Sequence, residues 1–554
     1  ITLFKCSKIV REMGNIEDEI RYEKNIIYTT DYDEELDSRG LGYAYFEQMS
    51  KNNDLVAQVD GYTGEKDTFA SLLKRCVRTA IGLKEMGLQY GDVVSSCTYN
   101  HLNSGVPHIS SYFIGAKIAA FDPTLSVREA AYLFRQVTPK VIFTGTESVK
   151  LIENVIQEVG ANTKIVVFGA TDKHVPFSDL ISPKPNETSF KPVEVQHLKD
   201  IALILFSSGT TGLPKGVCFS HRAMLHSVAA IKERDYRDVI VYSNDSPFWN
   251  VFSIYLHQSI FGKSVRLVSP TFDYNNPWSI FTYNVNYVML DLTRMLTLCH
   301  TPKPKDIDLS SLGTLVVSGT TISEDQMAKV RETFPGVHVS QAYGLTEVYY
   351  GVTCFDHTKP KHAQLALKKT GSCGLPMRGI CFKVVDPDTE RVLGPNENGE
   401  LRLKTSRQLS GYHNLDSSGV WDSDGWLRTG DYGYYDQDYC IYVIDRIKEM
   451  FEYRYKHITP ATIESVINTH PAVFRSVVIG VPHYMDNHHP MALIIVKPDC
   501  SNVTTEEIEK YVEVRVEDPF RLRAGVKFVK SFPLTQSGKV NRLRLKEMVR
   551  DKQI

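Results

Sequence analysis

One stretch of the chain, residues 206–216, constrains the fold more than any other. Its sequence is FSSGTTGLPKG, and it follows the apolar run Ile201–Leu205, which predicts a buried strand. A segment of helical character comes after His221, so we interpret the stretch as a connection between a strand and a helix. Its three glycines permit backbone angles that other residues resist, while its hydroxyl groups, exposed amides and one lysine suit a bound polyphosphate.

The candidate phosphate-binding residues of this stretch are Ser207, Ser208, Gly209, Thr210, Thr211, Gly212 and Lys215. The stretch is not a Walker A loop, because that motif ends in Gly-Lys-Ser or Gly-Lys-Thr, whereas Lys215 stands between a proline and a glycine. An isolated run of Gly, Ser and Thr is also typical of a flexible surface loop. The rest of the chain has to decide between these two interpretations.

Composition bounds the class of protein without naming a function. The chain has 554 residues, of which 42% are hydrophobic and 23% charged, so it is long enough for more than one domain of ordinary globular composition. A formal net charge of -2 gives no argument for nucleic acid or an anionic membrane as a partner. No apolar run approaches the roughly 18 residues of a membrane span. Ten cysteines without a CxxC pair favour reduced thiols over disulfides or a zinc site.

Alternating helical and strand-like segments predict an α/β fold. Helical spacing over residues 68–86, 127–137 and 149–159, with strand-like runs between, implies doubly wound sheets of mainly parallel strands. A second αβ series runs from about residue 222 to 345, so we expect two such subdomains. Residues 371–444 then change to short strands separated by turns, which predicts a small β-barrel-like subdomain. The remaining residues are numerous enough for a small, mobile α+β domain.

Four further motifs follow in order, and each has an ordinary structural explanation when taken alone. They are QAYGLTE at 341–347, GWLRTGD at 425–431, DRIKE at 445–449 and PLTQSGKVNR at 533–542. The ordinary explanations are a strand end, a β-turn, a surface ion pair and a solvent-exposed lysine near the C-terminus.

Together with residues 206–216, these motifs resemble the adenylate-forming superfamily of acyl- and aryl-CoA synthetases, beetle luciferases and nonribosomal peptide adenylation domains. The resemblance covers essentially the whole chain and is closest to the branch of insect luciferases and 4-coumarate–CoA ligases. It implies an N-terminal AMP-binding domain at residues 1–444, a hinge at 445–448 and a C-terminal lid domain at 449–554. Within the hinge, Asp445 is expected to be the pivot, with Lys448 beside it.

The resemblance also implies roles for individual residues. Lys215, Thr346, Arg446 and Lys539 are expected to be catalytic, with Lys539 swinging in to bridge the acid's carboxylate and the α-phosphate. Thr346 is expected to contact that phosphate. These four residues would also bind ATP, together with the small and hydroxylated residues of the phosphate loop.

The other nucleotide and metal contacts follow from the same resemblance. Asp431 would hold both ribose hydroxyls, since an ionised carboxylate accepts several hydrogen bonds, and Arg446 would reach the ribose as well. Glu347 would hold Mg²⁺, for which a carboxylate beside phosphate oxygens is suitable. Tyr343 would lie beside adenine, where the backbone of Gly319, Thr320 and Thr321 is also expected. Gln341, Ala342 and Gly344 are further expected contacts of ATP or AMP.

The chain departs from its branch in the acyl pocket and in the loop after the hinge. Luciferase-like proteins have Phe-His-His-Gly-Phe where this chain has both histidines and the glycine replaced. The expected pocket residues are Trp249, Asn250, Val251, Phe252, Gly319, Tyr349, Tyr350 and Gly351. Tyr455 stands where a glycine is usual in the loop that enters the site for thioester formation, and a tyrosine there puts CoA use in doubt.

The expected function is ATP-dependent adenylation of a hydrophobic carboxylic acid, fatty or aryl, followed by transfer to CoA. ATP, Mg²⁺ and CoA are the implied cofactors. A first alternative is luciferase-type oxidation of a luciferyl adenylate by O₂ with light emission. A second is a nucleotide-binding relative with reduced catalysis.

We expect a small-molecule carboxylic acid as partner, no nucleic acid, no integral membrane segment, and a monomer or weak oligomer. The chain ends Asp551-Lys552-Gln553-Ile554, which is not a Ser-Lys-Leu type address, so a cytoplasmic location is expected before a peroxisomal one.

Three histidines of the C-terminal segment raise the question of a metal site. His483, His488 and His489 follow a Gly-Val-Pro sequence. The sequence shows no matched carboxylate shell around them, so we favour a polar loop over metal ligation.

Overall fold

The computed structural model describes residues 20–32, 35–207, 214–232, 236–454, 456–500, 502–534 and 539–554. The phosphate-loop residues Ser208, Gly209, Thr210, Thr211 and Gly212 lie outside this set, as does Tyr455. Among the described residues, no helix combines the length and the apolar character that crossing a bilayer requires.

The described strands, in chain order, are β1 Ile20–Glu23, β2 Ile26–Thr29, β3 Val56–Asp60, β4 Lys66–Thr68, β5 Val93–Cys97, β6 Lys117–Phe121, β7 Val141–Gly145, β8 Lys164–Phe168, β9 Val175–Pro176, β10 Ile201–Phe206, β11 Gly216–Ser220, β12 Ile240–Ser243, β13 Val265–Val268, β14 Tyr287–Asp291, β15 Thr314–Ser318, β16 His338–Gln341, β17 Thr353–Cys354, β18 Leu375–Pro376, β19 Cys381–Val385, β20 Val392–Leu393, β21 Gly399–Lys404, β22 Leu427–Tyr435, β23 Ile441–Arg446, β24 Phe451–Tyr453, β25 Lys456–Ile458, β26 Val473–His483, β27 Asn487–Val496 and β28 Val526–Phe528.

The described α-helices are α1 Leu41–Lys51, α2 Phe69–Glu85, α3 Val106–Ile114, α4 Val127–Val137, α5 Val149–Val159, α6 Phe177–Leu180, α7 His221–Lys232, α8 Asn250–Gly262, α9 Leu292–His300, α10 Glu324–Thr333, α11 Pro360–Lys368, α12 Pro460–Asn468, α13 Thr505–Glu513 and α14 Arg542–Arg550. The helices predicted over residues 68–86, 127–137 and 149–159 are confirmed as α2, α4 and α5. Helix α4 begins with a capping box in which Ser126 and Glu129 bond each other's backbone amides.

Strands β5 to β11 form a seven-stranded sheet in the order β11-β10-β6-β5-β7-β8-β9. Neighbouring strands are parallel except for the edge pair β10 and β11. Alternate residues of β7 face opposite sides: Val141 and Phe143 pack with α2 and α3, while Ile142 packs with α4 and α5. Both faces of the sheet are therefore covered by helices, as the doubly wound α/β prediction requires.

The phosphate-loop stretch is a connection between two strands, so the prediction of a strand-to-helix connection was wrong. Phe206 of β10 lies opposite Gly216 of β11 in an antiparallel pair, and α7 starts only at His221. All five residues of β11 are buried. Such a strand lacks the alternation of apolar and polar residues by which a strand is recognised in a sequence.

The second αβ subdomain is built on another seven-stranded sheet, ordered β16-β15-β14-β12-β13-β3-β4. Its strands are parallel apart from the edge pair β3 and β4. Helices α9 and α10 cover one face, where Met295, Leu298 and Val330 are buried. Helix α8 contacts β12 and β13 and packs against α1 and α7. This second sheet carries the strand ends around which the candidate site is built.

An antiparallel sheet, ordered β1-β2-β19-β21-β22-β23 with β20 on β19, forms the third subdomain. The predicted strands between residues 371 and 444 are present in it. The hairpin of β1 and β2 joins the same sheet through Phe382, which lies opposite Ile27. The pairing was not predictable because its partner is more than 300 residues away.

A five-stranded sheet, β25-β24-β27-β26 with β28 on β27, forms the smaller C-terminal domain together with α12, α13 and α14. Helix α12 and α13 contribute Ile463 and Ile508 to one buried cluster of the sheet. Helix α14 contributes Leu545 to another. The structure thus has the predicted mixed α/β architecture, with a large N-terminal domain and a small C-terminal one.

Candidate active site

The candidate site begins at the carboxyl ends of β15 and β16. Val317 lies opposite Gln341 in parallel register, and the Ala342 amide donates to the Val317 carbonyl at 3.0 Å. The Gln341 side chain donates to the Thr320 carbonyl at 3.2 Å. Gly319 has a φ of 86°, and no heavy atom would lie within 4 Å of a β-carbon placed on it. Backbone beside open space at this end of a parallel sheet is where ligands bind in such folds. The structure brings together at this edge seven residues predicted to bind ATP or AMP, namely Gly319, Thr320, Thr321, Gln341, Ala342, Tyr343 and Gly344.

The two ends of the phosphate loop are fastened to each other. The Ser207 amide donates to the Lys215 carbonyl at 2.9 Å, and the Lys215 amide donates to the Ser207 hydroxyl at 3.2 Å. Gln136 of α4 holds the exit of the loop, because its amide donates to the Pro214 carbonyl and accepts from the Gly216 amide. The sequence offered no signal for Gln136, which lies 80 residues from Gly216.

Tyr412 connects the phosphate-loop lysine to the predicted metal ligand. The Lys215 ammonium lies 4.7 Å from the centre of the Tyr412 ring, and the Tyr412 hydroxyl donates to Oε1 of Glu347 at 3.2 Å. Burial and the nearby Glu347 carboxylate raise the pKa of Tyr412, so the phenol stays protonated. Thr346, which precedes Glu347, is half-buried. Sequence reasoning missed Tyr412, since a lone tyrosine in a loop has no distinguishing pattern.

The ribose carboxylate predicted at Asp431 is buried and held at both oxygens. Asp431 and Arg446 are cross-strand neighbours in β22 and β23, and Nε of Arg446 lies 2.6 Å from Oδ1 of Asp431. The Tyr343 hydroxyl donates to Oδ2 at 2.5 Å. Burial raises the pKa of Tyr343 well above its ordinary value, and the Asp431 charge adds to this effect. Asp431 raises the pKa of Arg446 against the opposing effect of burial.

Lys539 of the C-terminal domain lies within the electrostatic reach of this cluster. Burial lowers the pKa of Lys539, and the positive charge of Arg446 lowers it further. The carboxylates of Asp431 and Glu347 act in the opposite direction. Charges exert such effects only at limited range, so Lys539 lies within electrostatic range of the residues predicted for ribose and metal. Residues 535–538, which precede Lys539, lie outside the described residues.

The predicted hinge residue Asp445 joins the two domains. It lies opposite Tyr432 in the pairing of β22 with β23, and Oδ2 accepts from the Ala461 amide at 3.1 Å. That amide is in the first turn of α12, whose own N-cap residue makes no side-chain bond. The hinge carboxylate therefore satisfies a free amide at the start of the C-terminal domain's first helix. Lys448 is exposed.

A largely buried ion pair joins α12 to the start of α14. Nη2 of Arg542 lies 2.7 Å from Oε1 of Glu464, and the same carboxylate oxygen accepts from the Val478 amide at 2.6 Å. Burial raises the pKa of Glu464, while the Arg542 charge opposes the rise. Arg542 follows Lys539 by only three residues, so this pair anchors the segment that carries the lysine.

The predicted acyl-pocket residues differ in how accessible they are. Trp249, Asn250, Val251, Tyr350 and Gly351 are partly exposed. Phe252 and Tyr349 are fully buried in the core cluster, where the Tyr349 hydroxyl donates to the Ser253 carbonyl at 3.2 Å. The pocket role of these seven residues stays a prediction.

Beneath Phe252 lies an arginine without an ion pair among the described residues. Arg266 is 1% exposed and donates to the side-chain oxygens of Gln58 and Asn100 at 3.3 and 3.2 Å. Burial lowers its pKa to about 10. Its guanidinium carbon lies 5.0 Å from the centre of the Phe252 ring. Arg266 was not predicted from the sequence, because a single arginine in a short strand has no distinguishing pattern.

Comparison with known proteins places the whole chain in one family. The model of the AMP-binding enzyme family matches residues 45–413, and that of the AMP-binding enzyme C-terminal domain matches residues 462–539. The chain is similar to the luciferin 4-monooxygenase of Photuris pensylvanica, with 27% identity over 95% of this chain and 98% of the relative. It is also similar to a 4-coumarate–CoA ligase of Humulus lupulus, with 27% identity over 90% of this chain and 91% of the relative.

Among solved structures, one similar chain is the luciferase-like enzyme from the nonluminescent mealworm Zophobas morio. It is 36% identical, with a TM-score of 0.72, and the match covers 77% of this chain and 100% of that one. The first family model alone spans more than half of the chain. The chain therefore belongs to the AMP-binding enzyme family, the adenylate-forming enzymes that include luciferases and CoA ligases.

Proposed function

We propose that this enzyme adenylates a hydrophobic carboxylic acid with ATP, and then transfers the acyl group to CoA. The observation that supports the first step is that Lys539 lies within electrostatic range of Asp431, Arg446 and Glu347. Lys539 follows the hinge predicted at residues 445–448, whereas Asp431 and Glu347 precede it. The arrangement supplies a cation for the reacting carboxylate and phosphate, and carboxylates for ribose and metal.

In the proposed reaction, a carboxylate oxygen of the acid attacks the α-phosphorus of ATP. The new oxygen–phosphorus bond forms as the bond to pyrophosphate breaks, so negative charge shifts towards the leaving group. Lys539 stabilises the charge where carboxylate and α-phosphate meet, with Thr346 at the same phosphate. Lys215 stands at the exit of the phosphate loop and offsets charge on the leaving phosphates.

Glu347 fits the role of a magnesium ligand in this proposal. Among the described residues, its carboxylate accepts one hydrogen bond, from Tyr412, and forms no ion pair with a lysine or arginine. A carboxylate next to a phosphate-binding loop suits Mg²⁺, which prefers oxygen ligands and keeps some of them on the substrate. A bound Mg²⁺ would supply positive charge to the phosphates.

The partly exposed Trp249, packed on a buried aromatic pair beside the phosphate loop, supports a hydrophobic acid as substrate. Phe206, the last residue of β10, stacks on Phe248 with ring centres 6.3 Å apart. Trp249 meets Phe248 edge-on at 5.0 Å and is partly exposed. Phe206 and Phe248 are buried, so the indole of Trp249 is the part of this group that a substrate can cover. Covering an aromatic ring favours a fatty or aryl group over a small polar acid.

For the second step, we propose that the thiol of CoA attacks the carbonyl carbon of the acyl adenylate. A carbon–sulfur bond forms, AMP leaves, and the thiol proton passes to solvent. Similarity to 4-coumarate–CoA ligases supports this step. Tyr455, in place of the usual glycine, argues for slow transfer.

Luciferase-type oxidation is the second candidate, and similarity to luciferin 4-monooxygenases favours it. It shares the adenylation step, after which O₂ oxidises the adenylate with emission of light. Trp249 and Asn250 replace the two histidines of luciferase-like proteins, which makes beetle luciferin a poor substrate for this chain. Light from ATP, Mg²⁺, O₂ and a luciferin would identify this activity.

The proposal is tested by pyrophosphate release over a panel of fatty, cinnamic and heteroaromatic acids, with and without CoA. We expect acid-dependent release, a thioester when CoA is present, and a loss of release of at least a hundredfold in Lys539→Ala. Lys510→Ala, on an exposed face of α13, is the matched control and should leave the rate unchanged. Adenylate without any thioester would remove CoA from the proposal. Unchanged release in Lys539→Ala would remove the role of that lysine.

A further inference from the structure

We propose that His483, Asp486 and His489 form a binding site for a divalent transition-metal ion, with Zn²⁺ as the best match. The three residues lie at the turn between β26 and β27 in the C-terminal domain. None of them belongs to the adenylation site. Sequence analysis favoured an ordinary polar loop because no carboxylate was matched to the histidines; the structure supplies that carboxylate as Asp486.

The hairpin puts both histidines on one face. In the antiparallel register of β26 and β27, Val481 lies opposite His489, and His483 lies two residues beyond Val481. Residues two apart on a strand share a face, so the side chains of His483 and His489 project on the same side. His488 lies opposite Pro482 and projects on the other side.

The ligand atoms have nearly the separations that a tetrahedral ion requires. Oδ2 of Asp486 lies 2.9 Å from Nε2 of His489 and 3.6 Å from Nδ1 of His483. All three atoms lie within 4.8 Å of one another. An ion with bonds of about 2.0–2.2 Å holds its ligand atoms roughly 3.3–3.5 Å apart in tetrahedral geometry. The two distances from Asp486 bracket this value. The ring planes of His483 and His489 are only 15° apart, so one imidazole has to rotate for both lone pairs to meet at one ion.

Arg454 prepares the Asp486 carboxylate for this role. Its Nε donates to Oδ1 at 2.8 Å, which leaves Oδ2 towards the two imidazoles, and its backbone amide donates to the Asp486 carbonyl at 2.8 Å. A partner on the far oxygen of a ligating carboxylate is the usual outer support of a metal site. Both histidines approach this one oxygen, His489 at 2.9 Å and His483 at 3.6 Å. Their rings stack with centres 3.7 Å apart, so two imidazoles and one carboxylate oxygen are gathered at one place.

Two imidazole nitrogens and one carboxylate oxygen select Zn²⁺ over Mg²⁺, which prefers oxygen alone. Three protein ligands leave a fourth position, which water can take because the side chain of His483 is 41% exposed. The chemistry therefore separates this site from the oxygen-only site proposed at Glu347.

The test is calorimetric titration of the metal-free full-length chain with Zn²⁺ in excess Mg²⁺ and without nucleotide. We expect one Zn²⁺ per chain, and at least tenfold weaker binding in His483→Ala, His489→Ala and Asp486→Asn. His488→Ala is the matched control and should bind as the wild type does. Absence of Zn²⁺ uptake by the wild type would overturn the proposal, as would unchanged binding in the His483→Ala/His489→Ala double variant.

A second measurement does not depend on how the variants fold. Co²⁺ held tetrahedrally by nitrogen ligands absorbs visible light far more strongly than Co²⁺ in an octahedral shell of oxygens. We expect the wild type to develop the strong spectrum with one equivalent of Co²⁺, and Zn²⁺ to abolish it by displacement. A weak octahedral spectrum alone would contradict the assigned ligands.

Discussion

At the scale of single residues, Tyr412 links two groups that the proposed reaction needs on the same side of the triphosphate. Its ring faces the Lys215 ammonium and its hydroxyl donates to Glu347. The ring and the hydroxyl of Tyr412 therefore make different contacts. Two substitutions separate the effects of these contacts. Phenylalanine keeps the ring, whereas leucine removes both groups.

We predict that Tyr412→Phe raises the Mg²⁺ concentration for half-maximal adenylation about tenfold, because it removes an outer contact of the proposed ligand. Tyr412→Leu should also raise the KM for ATP severalfold, since a cation–π contact contributes about 0.5–1 kcal/mol. Steady-state pyrophosphate release at varied Mg²⁺ and ATP measures both effects. Tyr62→Phe, at an exposed tyrosine, is the control. Equal behaviour of the two Tyr412 variants would contradict the division of roles.

The environment of Lys539 predicts a pH effect. Lysine acts here in its charged form, and its pKa in the free enzyme is lowered by burial and by Arg446. The charged form is therefore lost at a lower pH than for an ordinary lysine, whose pKa is about 10.4. We expect kcat/KM for ATP to fall as the pH rises through this lowered pKa.

Lys539→Arg provides the check, because a guanidinium remains charged throughout this range. The variant should be slower at neutral pH and should lose the decline of kcat/KM at alkaline pH. Lys510→Arg, on an exposed face of the same domain, should keep the decline. A profile in Lys539→Arg that matches the wild type would assign the decline to another group.

At the scale of elements, the Glu464–Arg542 pair joins α12 to the start of α14. Arg542→Met would leave the Glu464 carboxylate buried without its cation, which costs about 3 kcal/mol in comparable pairs. We therefore predict that Arg542→Met lowers the free energy of unfolding of the C-terminal domain by this amount. The double variant Arg542→Met/Glu464→Met should recover part of the loss. Arg544→Met, two residues on and exposed, should cost less than about 0.5 kcal/mol.

The choice of probe matters for this measurement. All four tryptophans precede β22, so tryptophan fluorescence reports on the N-terminal domain. Strand β26 packs against α12 and α14, so hydrogen exchange at its amides reports on the C-terminal domain directly. Equal protection of these amides in Arg542→Met and the wild type would contradict the prediction.

The elements also show how far a sequence alone can go. Helices such as α2 and α4 were predictable because apolar spacing and the cap at Ser126 are local features. Strand β11 was not predictable, since a short, fully buried strand lacks the alternation of apolar and polar residues. Asp431 and Lys539 were found through motifs. Tyr412 and Gln136 were missed because their contacts join residues 65 and 80 positions apart, which one sequence does not encode locally.

At the scale of the whole molecule, the proposed second step requires the C-terminal domain to present the loop that contains residue 455. We predict that Tyr455→Gly increases the fraction of adenylate converted to thioester at least tenfold and leaves pyrophosphate release unchanged, because glycine leaves room for the pantetheine arm and adopts positive φ. Chromatography of AMP and thioester measures the ratio. Tyr484→Gly, at a 99% exposed tyrosine, is the control.

If Tyr455→Gly and the wild type convert the same fraction of adenylate, the tyrosine does not limit transfer. Slow transfer would then arise elsewhere, and O₂ in place of CoA would become the first candidate for the second substrate.

The pairing of β22 with β23 has a consequence for how substrate occupancy and domain rotation influence each other. Asp445 and Arg446 both belong to the last rungs of this pairing, and Arg446 is also the counter-ion of Asp431. In the proposed cycle, rotation about Asp445 would break those rungs and withdraw positive charge from the carboxylate proposed for the ribose. Thermodynamic reciprocity would then require a bound nucleotide to oppose rotation by the same factor by which rotation weakens nucleotide binding. Release of AMP would remove this opposition and let the domain return.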